Sequence, residues 1–153
     1  MKYTTEIIIH KSLAEVIHKM NSTENMLHWQ EGLVSTEHLS GTPGEFGAKM
    51  KLNYDFGNRK MALIETITKS NFPNEFHATY NTEGICNIQQ NFFESITEEE
   101  TKWISKNEFQ PTTFAMHAML FFMPRAFKKQ TKKFMNNFKY FVEKGKSVAN
   151  AKT

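Results

Sequence analysis

One cysteine in 153 residues leaves no internal disulfide to form and no multi-thiolate zinc site to build. No apolar run approaches the roughly 20 residues of a membrane-spanning helix. The opening MKYTTEIIIH holds only a short apolar stretch where a signal peptide needs about 7 to 15 residues. The expectation is a cytoplasmic protein with no stable membrane insertion. Glycine and proline are few, at 7 and 4, which excludes collagen-like and low-complexity chains. Also missing are the Gly-x-Ser-x-Gly elbow, the P-loop and the Gly-x-Gly-x-x-Gly turn. Serine-triad acyl transfer, nucleotide hydrolysis and dinucleotide binding therefore have no support. The six histidines show no pair at i, i+4 and no cysteine at ligand spacing, so neither a metal nor a cofactor is expected.

Aromatic residues are abundant instead, at 13%, with 14 phenylalanines and 9 methionines. At 39% hydrophobic and 23% charged, the chain has a globular composition. It is long enough to bury about 70% of its unfolded surface as one domain spanning residues 1–153. Charge is unevenly placed: residues 111–153 carry Arg125 and eight lysines against the lone Glu143. Lys128, Lys129, Lys132 and Lys133 recur at helical spacing opposite Phe127, Thr131, Phe134, Phe138 and Phe141. The simplest account is the wet face of an amphipathic helix, with anionic lipid headgroups or nucleic acid as the alternative on the same electrostatics; the reading taken has no nucleic-acid partner.

Tyr3 to His10 alternates as a strand, and Ser12-Leu-Ala-Glu15 is a capping box that opens a helix running to about Met20. A second short helix is expected over Ser22 to Trp29. The period then switches to two, with strands at Val34–Ser40, Ala48–Phe56, Lys60–Ser70, Glu75–Thr82, Ile85–Thr97 and Thr101–Gln110. Short turns between them imply an antiparallel meander. After Pro111 the pattern is helical to about Gly145, with Pro124 breaking it into Thr113–Met123 and Arg125–Lys144. The fold class is α+β, a seven-stranded sheet covering its apolar face with the long C-terminal helix.

Face assignment decides what lies between sheet and helix. Met50, Leu52, Tyr54 and Phe56 face in, and a two-residue hairpin at 57–59 turns Met61, Leu63, Glu65 and Ile67 inward as well. In the next hairpin a two-residue loop at Glu83-Gly84 sets Asn87, Gln89 and Asn91 on the face of Tyr80, whereas a three-residue loop sets Ile88, Gln90 and Phe92 there. Apolar matching favours the second. Trp103, Ser105, Asn107 and Phe109 form the inward set of the last strand. Glu65 is either an inward carboxylate with a partner or, with the register off by one, solvated. Phe114 to Met123 is apolar on nearly every side, and His117 shares its stripe with Leu120 and Phe121. Such a helix is deep core, or it meets a lipid, a second protomer in a homodimer, or serves as a lid.

The order strand, two helices, six strands and long helix resembles the START-like or SRPBCC superfamily. The resemblance is carried by Trp29, the run from His38 to Ala48 with its Pro43-Gly44 turn, Glu65-Thr66-Ile67, Asn87 to Phe92, Thr101 and the lysine-flanked last helix. Within it the polyketide cyclase/dehydrase-like and lipid-transport-like branch looks nearest. The resemblance covers Tyr3 to about Lys146 and implies a helix-grip fold, its curved sheet wrapped around the C-terminal helix. It also implies a deep apolar cavity for lipids, sterols, polyketides or other hydrophobic molecules. No catalytic set of that superfamily maps onto this chain.

The expected function is binding of a hydrophobic small molecule, lined by Tyr54, Leu63, Glu65, Tyr80, Ile88, Gln90, Phe92, Trp103, Asn107, His117, Leu120 and Phe121. The alternative is a cyclase, dehydratase or hydrolase acting through Glu65 with Tyr54, Tyr80 or His117. A third reading is a chaperone-partner module working through its surface.

Overall fold

The computed structural model describes residues 1–149, so residues 150–153 of the expected domain lie outside the described residues. In chain order the elements are β1 (Lys2–Ile9), α1 (Leu13–Met20), α2 (Met26–Trp29), β2 (Leu33–Ser40), β3 (Lys49–Asp55), β4 (Lys60–Asn71), β5 (Glu75–Thr82), β6 (Ile85–Thr97), β7 (Glu100–Pro111), α3 (Phe114–Phe122) and α4 (Pro124–Lys144). The seven strands form one antiparallel sheet in the order β1-β7-β6-β5-β4-β3-β2. The curved sheet and long C-terminal helix make the chain a helix-grip protein of the α+β class.

Local chemistry sets the element boundaries. The Ser12 hydroxyl accepts from the Glu15 N–H at 3.2 Å, and the Glu15 carboxylate accepts from the Ser12 N–H at 3.2 Å, closing the capping box of α1. Pro124 opens α4 at its first turn, where a missing N–H costs nothing. The expected second helix is shorter than its sequence pattern: α2 covers four residues and buries Met26 and Trp29.

α4 is fastened to the inner face through β1. The Tyr3 hydroxyl meets the Thr131 hydroxyl at 2.7 Å and donates to the Phe127 carbonyl at 3.1 Å. The Thr5 hydroxyl contacts the Met135 sulfur at 3.1 Å, and Lys139 bridges the Ile8 carbonyl and Glu143. Along α4, Met135, Phe138 and Val142 are buried at spacings of three and four, giving one apolar stripe. The core centres on Trp29, whose ring meets Phe138 edge-on at 5.3 Å and Trp103 at 6.1 Å.

Two hairpins set the register of the concave face. The Phe56 N–H donates to the Arg59 carbonyl at 2.9 Å, and Met50 pairs with Glu65, so Glu65 points inward. At the other hairpin Thr82 pairs with Ile85 and Tyr80 with Asn87, so the loop holds two residues. Asn87, Gln89 and Asn91 therefore share the face of Tyr80, and the three-residue loop favoured by apolar matching is corrected. Gly84 makes the shorter loop feasible, with φ at +85°, a region open to glycine at little cost. The same register sets Cys86 opposite Asn81.

Candidate functional site

A cavity of about 270 Å³ lies between the concave sheet face, the α1–α2 segment and the β2–β3 loop. Met20, Met26, Trp29 and Gln30 come from the helical segment, and Pro43 and Gly44 from the loop. The sheet contributes Met50, Glu65, Ile67, Phe76, Tyr80, Gln89, Asn91 and Trp103, with Phe72 from the start of the β4–β5 turn. Phe72 stacks on Phe76 at 5.3 Å, so one wall is a continuous aromatic surface. A separate depression of about 420 Å³ involves Lys2, Thr4, Ile88, Gln90, Lys106 and Glu108. Those side chains lie on the outer face among solvated charges, and this hollow lacks the enclosing apolar walls of the concave one.

Glu65 is 6% exposed and sits directly across from Tyr80, whose hydroxyl donates to its carboxyl. Burial pushes the Glu65 carboxyl above its ordinary range, and the Tyr80 bond only partly offsets that. Burial also holds the Tyr54 and Tyr80 phenols high, with the nearby Glu65 charge adding to the effect. Tyr54 donates to the Gln30 side-chain oxygen at 2.6 Å, tying β3 to the end of α2.

Beside this pair a ladder of amides crosses the concave face. Asn87 and Gln89 both donate to the Asn107 side-chain oxygen, at 3.2 and 3.0 Å. Asn91 donates to Gln89 at 3.1 Å, and the Trp103 indole donates to Asn91 at 2.9 Å. Asn107 in turn donates to the Ser105 hydroxyl at 3.0 Å. These partners satisfy the polar groups that burial would otherwise penalise. Trp29, which lines the cavity, keeps one group without a partner: its indole N–H is buried and has none among the described residues.

Of the residues singled out from sequence, Glu65, Tyr80 and Trp103 come together at the cavity wall. Tyr54 and Leu63 lie on the same face, buried and half-buried, and Asn107 is buried within the amide ladder. Ile88, Gln90 and Phe92 are corrected to the outer face, where the Phe92 ring meets His77 at 5.0 Å and the Lys106 amine at 5.2 Å. His117 and Phe121 do not reach the cavity: both are exposed, and the His117 ring bonds its own helix at the Thr113 carbonyl. Leu120 is half-buried on the same helix, away from the cavity. That helix follows β7 beyond the 83–84 hairpin, whereas the cavity lies toward the opposite ends of the strands.

Sequence reasoning set Gln89 and Asn91 aside with the two-residue loop, and missed Gln30 and the role of Trp29. A signal for Gln89 and Asn91 was present: Ser105 and Asn107 on the inward face of β7 need polar neighbours on β6, and the two-residue loop supplies three where the other supplies Gln90 alone. Among the described residues no group of three His, Cys, Asp or Glu is placed to hold a metal. Burial raises the Cys86 thiol, the opposite of what activates a nucleophile.

No protein-family model matches the chain, and no curated protein does. Solved structures do. A conserved protein from Geobacillus kaustophilus is similar at 16% identity and a TM-score of 0.80, covering 95% of this chain and 97% of that one. The Zhui aromatase/cyclase from Streptomyces is similar at 7% identity and a TM-score of 0.80, covering 94% and 93%. Ara h 8.0201 is similar at 12% identity and a TM-score of 0.73, covering 93% and 97%. The chain has a START/SRPBCC-like fold.

Proposed function

We propose that the chain works as a single cytoplasmic domain that binds a hydrophobic small molecule, of lipid or polyketide kind, in the cavity between sheet and helices. The observation that carries this reading is the Trp29 indole N–H, a buried donor without an acceptor among the described residues, on a residue that lines the cavity beside the bonded side chains of Gln89, Asn91 and Trp103. A buried unpaired donor is costly, and a ligand carrying a carbonyl or similar acceptor removes that cost. The remaining affinity is desolvation: at about 25 cal/mol per Å², burying ~300 Å² of apolar ligand surface gains ~7 kcal/mol before ordering costs. The likeness in fold to a protein named an aromatase/cyclase, a name that implies acting on a small molecule, supports the same reading.

A built-in reporter makes the test direct, because the chain has 2 tryptophans and both line the cavity. Titration with anilinonaphthalene sulfonate, and separately with a medium-chain fatty acid, is expected to change tryptophan emission saturably at one equivalent. Trp29→Phe keeps Trp103 as the probe and is expected to weaken the fatty acid about tenfold by removing the donor. Emission that never saturates, for both probes, overturns the reading. Mass spectrometry of the protein purified from its own source then identifies whatever it carries.

The raised Glu65 carboxyl beside Tyr80 favours a second reading, a cyclase- or dehydratase-type enzyme with Glu65 as proton donor. Loss of turnover with retained binding in Glu65→Gln would establish it over carriage.

A further inference from the structure

α3 is a helix with no buried residue, although its sequence is FAMHAMLFF. Phe114, Phe121 and Phe122 are 88%, 78% and 77% exposed, and Met123 at its end is 54% exposed. Residues 114 and 121 stand seven apart and so nearly eclipse each other, with 122 one step away, so the three rings share one face. Met116, Met119 and Leu120 fall on the opposite, half-buried side, and Met116 packs over Gly84 of the β5–β6 hairpin. The two adjacent rings, Phe121 and Phe122, meet each other edge-on at 5.1 Å. Nothing else among the described residues covers this face, which is therefore built to meet something outside it.

The charge beside it says what. Residues 109–142 contain no Asp or Glu. Lys133 and Lys139 are paired with Glu31 and Glu143. Arg125, Lys128, Lys129 and Lys132 are exposed and have no acidic partner among the described residues. They begin three residues beyond α3 and follow one stripe along the first two turns of α4, a rise of roughly 10 Å and so about one Debye length. A twofold pairing of α3 with a second copy would bring two such cationic stripes together with no acids to neutralise them. A surface of anionic headgroups over an acyl layer supplies both complements at once: negative charge for the stripe and a hydrocarbon boundary for the phenylalanines.

We propose that α3 and the start of α4 form a docking face for an anionic lipid bilayer, with the phenylalanines at the acyl boundary and the cations among the headgroups. Docking is peripheral, since no described helix is long and apolar enough to cross a membrane. The proposal is independent of what the cavity holds.

Co-sedimentation of the full chain with vesicles of phosphatidylcholine containing about 30% phosphatidylserine, and with phosphatidylcholine alone, tests it. The protein is expected to pellet with the anionic vesicles only and to be released by roughly 0.5 M salt. Phe121→Ser with Phe122→Ser, and separately Lys128→Glu with Lys132→Glu, are each expected to weaken binding about tenfold or more. Both pairs are exposed, circular dichroism confirms the fold, and light scattering is expected to give a monomer throughout. Failure to pellet with anionic vesicles overturns the proposal, as does equal binding to neutral ones. A dimer that the phenylalanine pair dissolves overturns it in favour of a second copy.

Discussion

Glu65 shows how a single side chain links the sheet to solution pH. Its carboxyl is raised from the ordinary value of 4.5 because ionising it inside the cavity wall removes a charge from water. A folded-state value above the unfolded one means the folded chain holds the proton longer. Stability is then unaffected below both values and falls as pH rises from about 4.5 to the folded value. Replacing the charge with an amide that still accepts from Tyr80 removes that fall. Glu65→Gln is therefore expected to raise the melting temperature at pH 7 and to leave it unchanged below about pH 4. A variant less stable at both pH values would contradict the burial argument. That Glu65 faces inward was legible, because alternation in β3 together with a short hairpin fixes the parity of β4 whatever the side chains prefer. That Trp29 would present an unpaired N–H was not legible, since orientation of one indole depends on packing among Phe134, Phe138 and Trp103.

At the scale of elements, the β5–β6 hairpin and α3 form one unit. A Cβ on Gly84 would stand 2.9 Å from both Met116 Cγ and Thr113 Oγ1, in a backbone region that L side chains resist. Gly84→Ala is expected to cost about 1–2 kcal/mol in urea unfolding and to speed amide exchange throughout α3 first. Exchange unchanged in α3 would show that the helix does not depend on this seat. The strands, the capping box and the break at Pro124 were all readable from period, cap chemistry and proline geometry. The β6 register was not, because apolar matching presumes an apolar inner face. Here the amides of Asn87, Gln89 and Asn91 satisfy one another and β7, so a polar stripe is tolerated inside. The sequence also could not say which side of α3 would be covered, since a helix apolar all round carries no periodic signal.

Across the whole molecule, the grip depends on one stripe of α4 meeting the sheet through Trp29 and Trp103. Phe138 has no exposed surface and touches both indoles edge-on, at 5.3 and 5.4 Å. Phe138→Ala is expected to lower the unfolding free energy by about 3–5 kcal/mol, measured by urea denaturation followed through tryptophan emission. A loss under 1 kcal/mol would mean that the helix and sheet are held together elsewhere. The strand order carries a different consequence. β1 has β7 as its one neighbour in the sheet, with Lys2 facing Glu108 and Ile9 facing Thr101. During synthesis β1 leaves the ribosome ahead of the other strands of this sheet and must therefore wait, with Ile7 and Ile9 uncovered, until nearly the whole sheet has been made. Closing that distant pairing is entropically late and slow, so the apolar first strand is where a nascent chain of this protein is most open to chaperone capture or to misassembly with its neighbours.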